Sequence, residues 1–228
     1  TITNEDGRVP SRGTFGDAIV RSCTTALVDL AEEELSADEI RDTANALGIG
    51  VPTDLGVPSD TGNLAEDPDD SQFVLQLAGQ SGVGVTPLEI AAAAAAIATD
   101  THHPTILFRG EPAPDAAPGA STLPLAEPSS FSQASAMRDL MRLVVDEGTG
   151  SAAGIEGFDV GGVTGTEVGD DGPIAGWFAG FSEDLGFARS CSVRNDDLTA
   201  TCGFDQLTRR EVPVEWIQRY VGDMAKLG

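Results

Sequence analysis

Lysine is almost absent from this sequence of 228 residues, and basic residues of any kind are scarce. Only 13 residues are Lys or Arg, of which Lys226 is the single lysine, against 37 Asp and Glu. The net charge of −24 repels phosphate backbones and anionic lipid surfaces, which excludes nucleic acid as a partner. A mechanism that needs a buried lysine as proton acceptor has almost no residue to draw on.

A long apolar run is also missing, since no stretch of about 18 apolar residues exists that could form a transmembrane helix. The chain begins with Thr1 and shows no charged and then apolar leader. We therefore expect it to be a processed product or a piece trimmed from a longer protein; if an anchor or signal existed, it has been removed. Hydrophobic residues still make up 40%, which is typical of a globular domain with a buried core.

Cysteine is rare, with three in the chain. Cys191 and Cys202 flank a segment centred on Asp196 and Asp197. If these aspartates form a two-residue hairpin turn, the two cysteines face each other across neighbouring strands. A disulfide between them would require an oxidising compartment, and two buried thiols are the alternative; both stay open. Cys23 has no evident partner.

Helix starts are marked by four capping boxes, in which a Ser or Thr side chain bonds the backbone three residues on and an acid or amide reaches back. They predict helices after Thr14, Ser36, Thr86 and Ser130. The first helix should pause near residues 21–24 and resume to residue 34. The second should end at Leu47, with Gly48 in the C-terminal turn.

The helix after Thr86 is the strongest of the four, because Pro87 occupies its first position, where a missing N–H costs nothing. The segment IAAAAAAIA that follows has no polar face, which predicts a central helix buried on all sides. After Ser130, apolar residues recur at the spacing of a half-buried helix that ends at Gly148. These residues are Met137, Leu140, Met141, Val144 and Val145.

Residues 49–72 and 101–129 are predicted to be irregular, because both are rich in Pro, Gly and Asp or Ala and show no period. Each contains a weak candidate for metal binding, an acidic cluster in the first and a histidine pair in the second. Neither has the spacing or the further ligands of a metal site. The residues concerned are Asp67, Asp69, Asp70, His102 and His103, and we expect neither a metal nor a cofactor.

From residue 157 the period changes to short runs of small, β-branched and aromatic residues, separated by Gly, Asp and Asn. Four such runs predict an antiparallel meander: FDVGGVTGTEV, IAGWFAGF, GFARSCSV and LTATCGF. A last helix is predicted after Pro213. Helices, then a sheet, then a terminal helix that can cover it, indicate an α+β fold.

Five segments carry a resemblance to one known family in the same order along the chain. They are DAIVRSCTTALVDLA (17–31), GQSGVGVTPLEIAAAAAAIA (79–98), VVDEGTGSAAG (144–154), GGVTGTEV (161–168) and GWFAGF (176–181). The chain resembles the C-terminal part of the transpeptidase domain of penicillin-binding proteins, the serine acyltransferases that cross-link peptidoglycan. The resemblance implies a single domain over residues 1–228, helical to about residue 150, with the sheet and terminal helix from about residue 151.

The resemblance also implies three active-site stations: a Ser-x-x-Lys with the nucleophile, a Ser-x-Asn turn, and a Lys-Thr-Gly strand that holds the terminal carboxylate of the substrate. At the turn the serine matches, but Thr24 replaces the asparagine. On the strand Thr-Gly-Thr matches, but Val163 replaces the lysine. The positions concerned are Ser22, Thr24, Val163, Thr164, Gly165 and Thr166.

The first station is missing from the sequence, because Asp223 stands three residues before the single lysine, Lys226. The nucleophile either lies upstream of this chain or was never present. We therefore assign no catalytic residue and interpret the six positions as vestigial. The chain is expected to be a non-catalytic, extracytoplasmic binding or scaffold module of bacterial cell-wall synthesis or division.

The expected partners are cell-wall synthesis or division proteins, or a peptidoglycan stem peptide bound as an added strand. The alternative is the C-terminal portion of an active D,D-transpeptidase that binds penicillin through a nucleophile upstream of this chain. The sequence upstream of Thr1 distinguishes the two.

Overall fold

The computed structural model describes residues 2, 4, 13–53, 55, 59–80, 82–105, 128–169, 172–183 and 185–192. Within them, helices come first and an antiparallel sheet last, as expected for an α+β fold. The helices are α1 (Phe15–Val20), α2 (Thr24–Glu34), α3 (Ala37–Ala46), α4 (Asp70–Leu77), α5 (Pro87–Thr99) and α6 (Ala134–Glu147). The strands are β1 (Asn63–Leu64), β2 (Val83–Gly84), β3 (Thr101–His102), β4 (Ser129–Ser130), β5 (Val160–Gly169), β6 (Gly172–Ser182) and β7 (Leu185–Ser192).

Three of the four predicted capping boxes are confirmed. At Thr14, Ser36 and Thr86 the hydroxyl accepts the backbone N–H three residues on, and the acid there accepts the N–H of the cap residue. The predicted pause after α1 is present, since residues 21–23 interrupt the helix before α2 begins. Beyond α3, Gly48 has a φ of 83°, which glycine adopts without strain.

The fourth predicted cap is wrong, because Ser130 does not begin α6. Ser130 pairs with Thr101 in the small ladder of β3 and β4, which commits its backbone to a strand. The helix starts four residues later, with Gln133 at its N-cap and no side-chain hydrogen bond there. The half-buried stripe of α6 and its end at Gly148 are confirmed.

The stretch 49–72 is less irregular than predicted, because it contains β1 and the start of α4. Asp69 accepts a hydrogen bond from the backbone N–H of Gln72 at 2.9 Å, and the Gln72 side chain accepts one from the backbone of Asp69. This is a capping box with Asp in place of Ser or Thr. Asp69 is therefore a helix cap and not part of a solvated acidic loop.

Helix α5 packs against β6, β7 and α6, which confirms its central position. Its approach to the sheet is close: a Cβ at Gly186 of β7 would overlap the carbonyl oxygen of Ala91 and the amide nitrogen of Ala95. The prediction of burial on all sides is too strong, because the first turn borders an open cavity and leaves Leu88 47% exposed. None of the helices that the structure describes, α5 included, is long and apolar enough to cross a membrane.

The main sheet is an antiparallel meander in the order β5-β6-β7, which confirms three of the four predicted strands. In its register Val163 lies opposite Ala179, and Thr164 lies opposite Phe178. The fourth predicted strand and the helix after Pro213 lie outside the described residues. The core beside the sheet contains stacked rings of Phe178 and Phe187, with centroids 5.9 Å apart, packed with Val145 of α6.

The cysteine predictions stay open. Cys191 belongs to β7, where it lies opposite Gly176 of β6, and Cys202 lies outside the described residues. Cys23 is a free, buried thiol between α1 and α2. The possible disulfide between Cys191 and Cys202 therefore remains a prediction.

The Glu89 side chain links the loop before α4 to the start of α5 through hydrogen bonds. Its carboxylate accepts hydrogen bonds from the amides of Gly62 at 2.7 Å and Gly50 at 3.2 Å, and from the amide and hydroxyl of Thr86. Partial burial raises the pKa of Glu89, but the hydrogen bonds from Thr86, Gly62 and Gly50 outweigh it and hold the pKa below its ordinary value. One charge thus satisfies donors from three segments.

We expect Glu89→Gln to lower the free energy of unfolding by about 2 kcal/mol at pH 7, because bonds to a charged acceptor are lost. Glu39→Gln is the matched control, since Glu39 forms the same box with Ser36 but binds no loop amide; its loss should be smaller. Because the pKa of Glu89 is lower in the folded protein than in the unfolded chain, its ionised carboxylate stabilises the fold at pH values above the ordinary carboxyl pKa. This stabilisation is lost as the pH falls through the pKa that Glu89 has in the folded protein. Urea unfolding of both variants at pH 7 and near pH 3 measures the loss of stability and its pH dependence. Equal losses for Glu89→Gln and Glu39→Gln at pH 7 would contradict a role for the loop bonds.

We expect Gly186→Ala to lower the free energy of unfolding by about 3 kcal/mol, the upper end of the usual effect of overpacking, because the neighbour is rigid. The added methyl group meets the backbone of α5, which cannot rotate away as a side chain would. Gly165→Ala on β5 is the control, because only Trp177 Cβ lies near the added atom, at 3.7 Å. Thermal unfolding of the two variants tests this, and equal melting temperatures would show that α5 and β7 are not in such close contact.

Candidate functional site

The turn between α1 and α2 holds Ser22 in a left-handed backbone conformation, with φ at 53°. This conformation costs a residue with a side chain about 1–2 kcal/mol. Two hydrogen bonds support it: the amide of Ser22 donates to Ile19 O at 3.0 Å, and that of Cys23 donates to Ala18 O at 2.8 Å. Ser22 and the half-buried Thr24 thus flank a buried cysteine at the start of α2.

Asn4 braces this turn from a distant part of the chain. Its side-chain amide donates to the hydroxyl of Thr25 at 2.9 Å, and its carbonyl accepts the backbone N–H of Thr25 at 3.1 Å. The same amide lies 3.5 Å from the sulfur of Cys23. Asn4 is buried, and its contacts fix the residues on both sides of Thr24. The sequence contains no signal for this role, because the pairing depends on tertiary folding.

Strand β5 carries the other matching positions. Neighbouring residues of a strand point to opposite faces, so Val163 and Thr164 lie on different sides of the sheet. Thr164 shares a face with Phe178 of the core, and Val163 shares the other face with Ala179. In the part of the chain that the structure describes, β5 pairs with β6 alone, and Gly165 is exposed on it.

Thr149 joins the turn to the strand. Its backbone N–H donates to Val20 O at 3.2 Å, in the last turn of α1. Its hydroxyl lies 2.7 Å from the hydroxyl of Thr164 on β5. The structure therefore brings the Ser22 turn and the Thr164 strand to one place, although more than a hundred residues separate them. Thr149 lies in the segment VVDEGTGSAAG, but the sequence alone does not indicate its contacts.

Three of the arginines that the structure describes are engaged in ion pairs with carboxylates of the chain. Arg41, Arg138 and Arg142 form ion pairs with Asp38, Asp100 and Asp159, respectively. The hydrogen bond from Arg142 holds the pKa of Asp159 below its ordinary value. Arg138 also donates to the carbonyls of Ile97 and Ala98, at the end of α5. Arg21, next to Ser22, is exposed.

The histidines lie at a different place, beside the loop held by Glu89. His102 is the second residue of β3, not a loop residue as predicted, because β3 pairs with β4. Its ring lies against Gly48 and lines a cavity of about 200 Å³. Burial, followed by the charge of His103, lowers the pKa of His102. Among the described residues no group of three or more His, Cys, Asp or Glu could hold a metal ion.

The sequence matches the model of one protein family over residues 2–190, and that family is described as the penicillin binding protein transpeptidase domain. The chain belongs to this family. Membership confirms the resemblance carried by the five segments and connects the chain to enzymes of peptidoglycan synthesis. No curated protein matches the chain.

Solved structures of similar fold are penicillin-binding proteins and related enzymes. Penicillin-binding protein A from M. tuberculosis, in its imipenem acyl-enzyme complex, has a TM-score of 0.70 at 21% identity and covers 95% of this chain. The D,D-transpeptidase domain of a peptidoglycan glycosyltransferase from Eggerthella lenta has a TM-score of 0.64 at 23% identity over 86% of this chain. The matches span 50% and 52% of those two chains, so this chain covers about half of their length.

A further similar structure is a peptidoglycan glycosyltransferase from Burkholderia ambifaria, with a TM-score of 0.65 at 20% identity over 92% of this chain and 64% of that one. The TM-scores of these three structures establish the transpeptidase-like fold, and at such low sequence identity they establish the fold alone. The assignment of Ser22, Thr24, Val163, Thr164, Gly165 and Thr166 to the former active site stays a prediction.

We expect Ser22→Gly to be more stable than Ser22→Ala by about 1 kcal/mol, because glycine adopts a positive φ without strain. Both variants lack the hydroxyl, so their difference reports the backbone alone. Chemical denaturation measures it. Equal stability of the two variants would mean that the turn relaxes out of the left-handed region.

Proposed function

We propose that this chain is a non-catalytic transpeptidase domain that acts as a binding or scaffold module in peptidoglycan synthesis or division. The observation that carries the proposal is Val163, an uncharged side chain at the position where the family resemblance implies a lysine. The fold around it is retained, since β5 pairs regularly with β6 through this position. A strand that keeps its geometry without its charge supports recognition better than acyl transfer.

The loss of the cation has a direct energetic consequence. A terminal carboxylate that leaves water needs a positive partner, and valine supplies none. Arg41, Arg138 and Arg142 do not replace it, because each is paired with a carboxylate of the chain. The net charge of −24 adds a long-range repulsion. Removal of one preorganised group of this kind typically costs a hundred- to a thousand-fold, roughly, in rate.

Thr24 supports the same conclusion at the turn. An asparagine side chain both donates and accepts through its amide, whereas threonine offers one shorter hydroxyl. Asn4 binds the adjacent Thr25 and lies near Cys23, and these contacts do not involve the Thr24 side chain. The turn therefore keeps its shape without the amide that would orient a substrate.

Strand β5 suits recognition of an extended peptide, because among the described residues it pairs with β6 alone. Peptides that add to a sheet edge gain affinity from main-chain hydrogen bonds, which need no side-chain charge. We propose a peptidoglycan stem peptide or a cell-wall protein as partner and an extracytoplasmic location, with residues 1–228 as one transpeptidase-like domain. This location is typical of the family.

A second candidate is the C-terminal portion of an active D,D-transpeptidase whose nucleophile lies upstream of this chain. The retained Ser22 in its constrained turn favours it, and so does the acyl-enzyme complex formed by penicillin-binding protein A. The chain spans about half of that protein, which leaves room for a preceding nucleophile segment. The Thr24 and Val163 positions count against it.

Labelling of the full-length protein with a fluorescent penicillin, followed by intact mass, separates the two candidates. We expect no covalent adduct on the natural protein, with an active penicillin-binding protein labelled in parallel to check the probe. If a nucleophile lies upstream, we expect the double variant Val163→Lys with Thr24→Asn to form an adduct under conditions where the natural protein forms none, because the charge and the amide are restored; if no nucleophile exists, neither protein is labelled. A stoichiometric adduct on the natural protein would overturn the non-catalytic proposal.

A further inference from the structure

Thr149 occupies a place in the fold that leaves it little freedom. It stands between two glycines that the packing requires: a Cβ at Gly148 would overlap the carbonyl oxygen of Val20, and one at Gly150 would lie 3.1 Å from Val144 Cγ1. The segment therefore runs directly against the last turn of α1. The backbone N–H of Thr149 donates to Val20 O, which holds the Thr149 backbone beside α1.

We propose that Thr149 is a positioning residue that couples the Ser22 turn to strand β5 and sets the distance between them. The coupling consists of one hydroxyl pair, Thr149 with Thr164, at 2.7 Å. On the other side, the Thr149 amide binds Val20 O, two residues before Ser22. The inference rests on the proposed function only in taking the turn and the strand as the place where a ligand binds, because the two hydrogen bonds of Thr149 are present without a ligand.

The hydroxyl pair lies in a partly buried place. Each threonine carries a single O–H, and one of the two protons lies between the oxygen atoms. Because both oxygen atoms are half-buried, the pair is screened less by water than a surface pair would be. The pair thus links Thr149 to a strand residue that shares a face with the core ring of Phe178.

A double-mutant cycle tests the coupling in the full chain without a ligand. The variants are Thr149→Val, Thr164→Val and the double substitution, with hydrogen exchange of the turn amides (residues 22 and 23) and of the β5 amides as the readout. Each single variant removes the same hydrogen bond, so we expect exchange in both segments to rise by about fivefold, as for one hydrogen bond. The double variant should exchange no faster than either single variant.

Two controls separate positioning from general stability. Thr149→Ser keeps the hydroxyl, so exchange in both segments should stay at the rate of the natural protein. Thr43→Val removes a hydroxyl that binds Glu39 O within α3, and it should leave the turn and β5 unchanged. If Thr149→Val does not fold, Thr164→Val alone carries the test, because its effect must reach the turn through Thr149.

The proposal is overturned if Thr164→Val leaves the turn amides unchanged, if the effects of the two substitutions add, or if exchange rises equally throughout the protein. None of these results depends on penicillin labelling. A covalent adduct on the natural protein would overturn the non-catalytic function and leave the coupling intact, whereas a failed cycle would overturn the coupling and leave the function untouched.

Discussion

The close contact between α5 and the sheet is the constraint on which the rest of the structure depends. The small side chains of the alanine run and the absence of a Cβ at Gly186 allow the helix backbone to lie against β7. This contact places the first turn of α5, so that Glu89 reaches the loop amides of Gly50 and Gly62. It also supports the sheet that continues through β6 to β5, where the candidate site positions lie. A wider spacing between α5 and β7 would disturb both the loop bonds of Glu89 and the support of the sheet.

Local chemistry made much of the fold predictable. Thr14, Ser36 and Thr86 cap their helices through partners three residues away, which a linear pattern contains. Ser130 has the same pattern but pairs with Thr101, and a distant partner overrides a local preference. At the candidate site the sequence indicated Ser22 and Val163 from their neighbours. Asn4 and Thr149 act through contacts with residues far along the chain, so no periodicity or spacing reveals them.

The shape of the candidate site and the chemistry proposed for it have separate physical origins. The Asn4 bonds and the Thr149 pair hold the turn and the strand, and neither uses the side chain of Thr24 or of Val163. A substitution at either position therefore costs the fold little. A catalytic arrangement, by contrast, depends on the charge and the amide that these residues would carry. Family membership is thus compatible with a site that no longer performs the family's chemistry.

The edge of β5 also bears on how copies of this protein behave toward one another. Among the described residues β5 pairs with β6 alone, and the exposed Gly165 has no side chain that would block an approaching strand. Such edges favour self-association. The excess of acidic residues opposes it, since two copies with a charge of −24 repel each other. This repulsion decays within about 8 Å at physiological ionic strength. Acidity thus serves as a solubility device that added salt weakens.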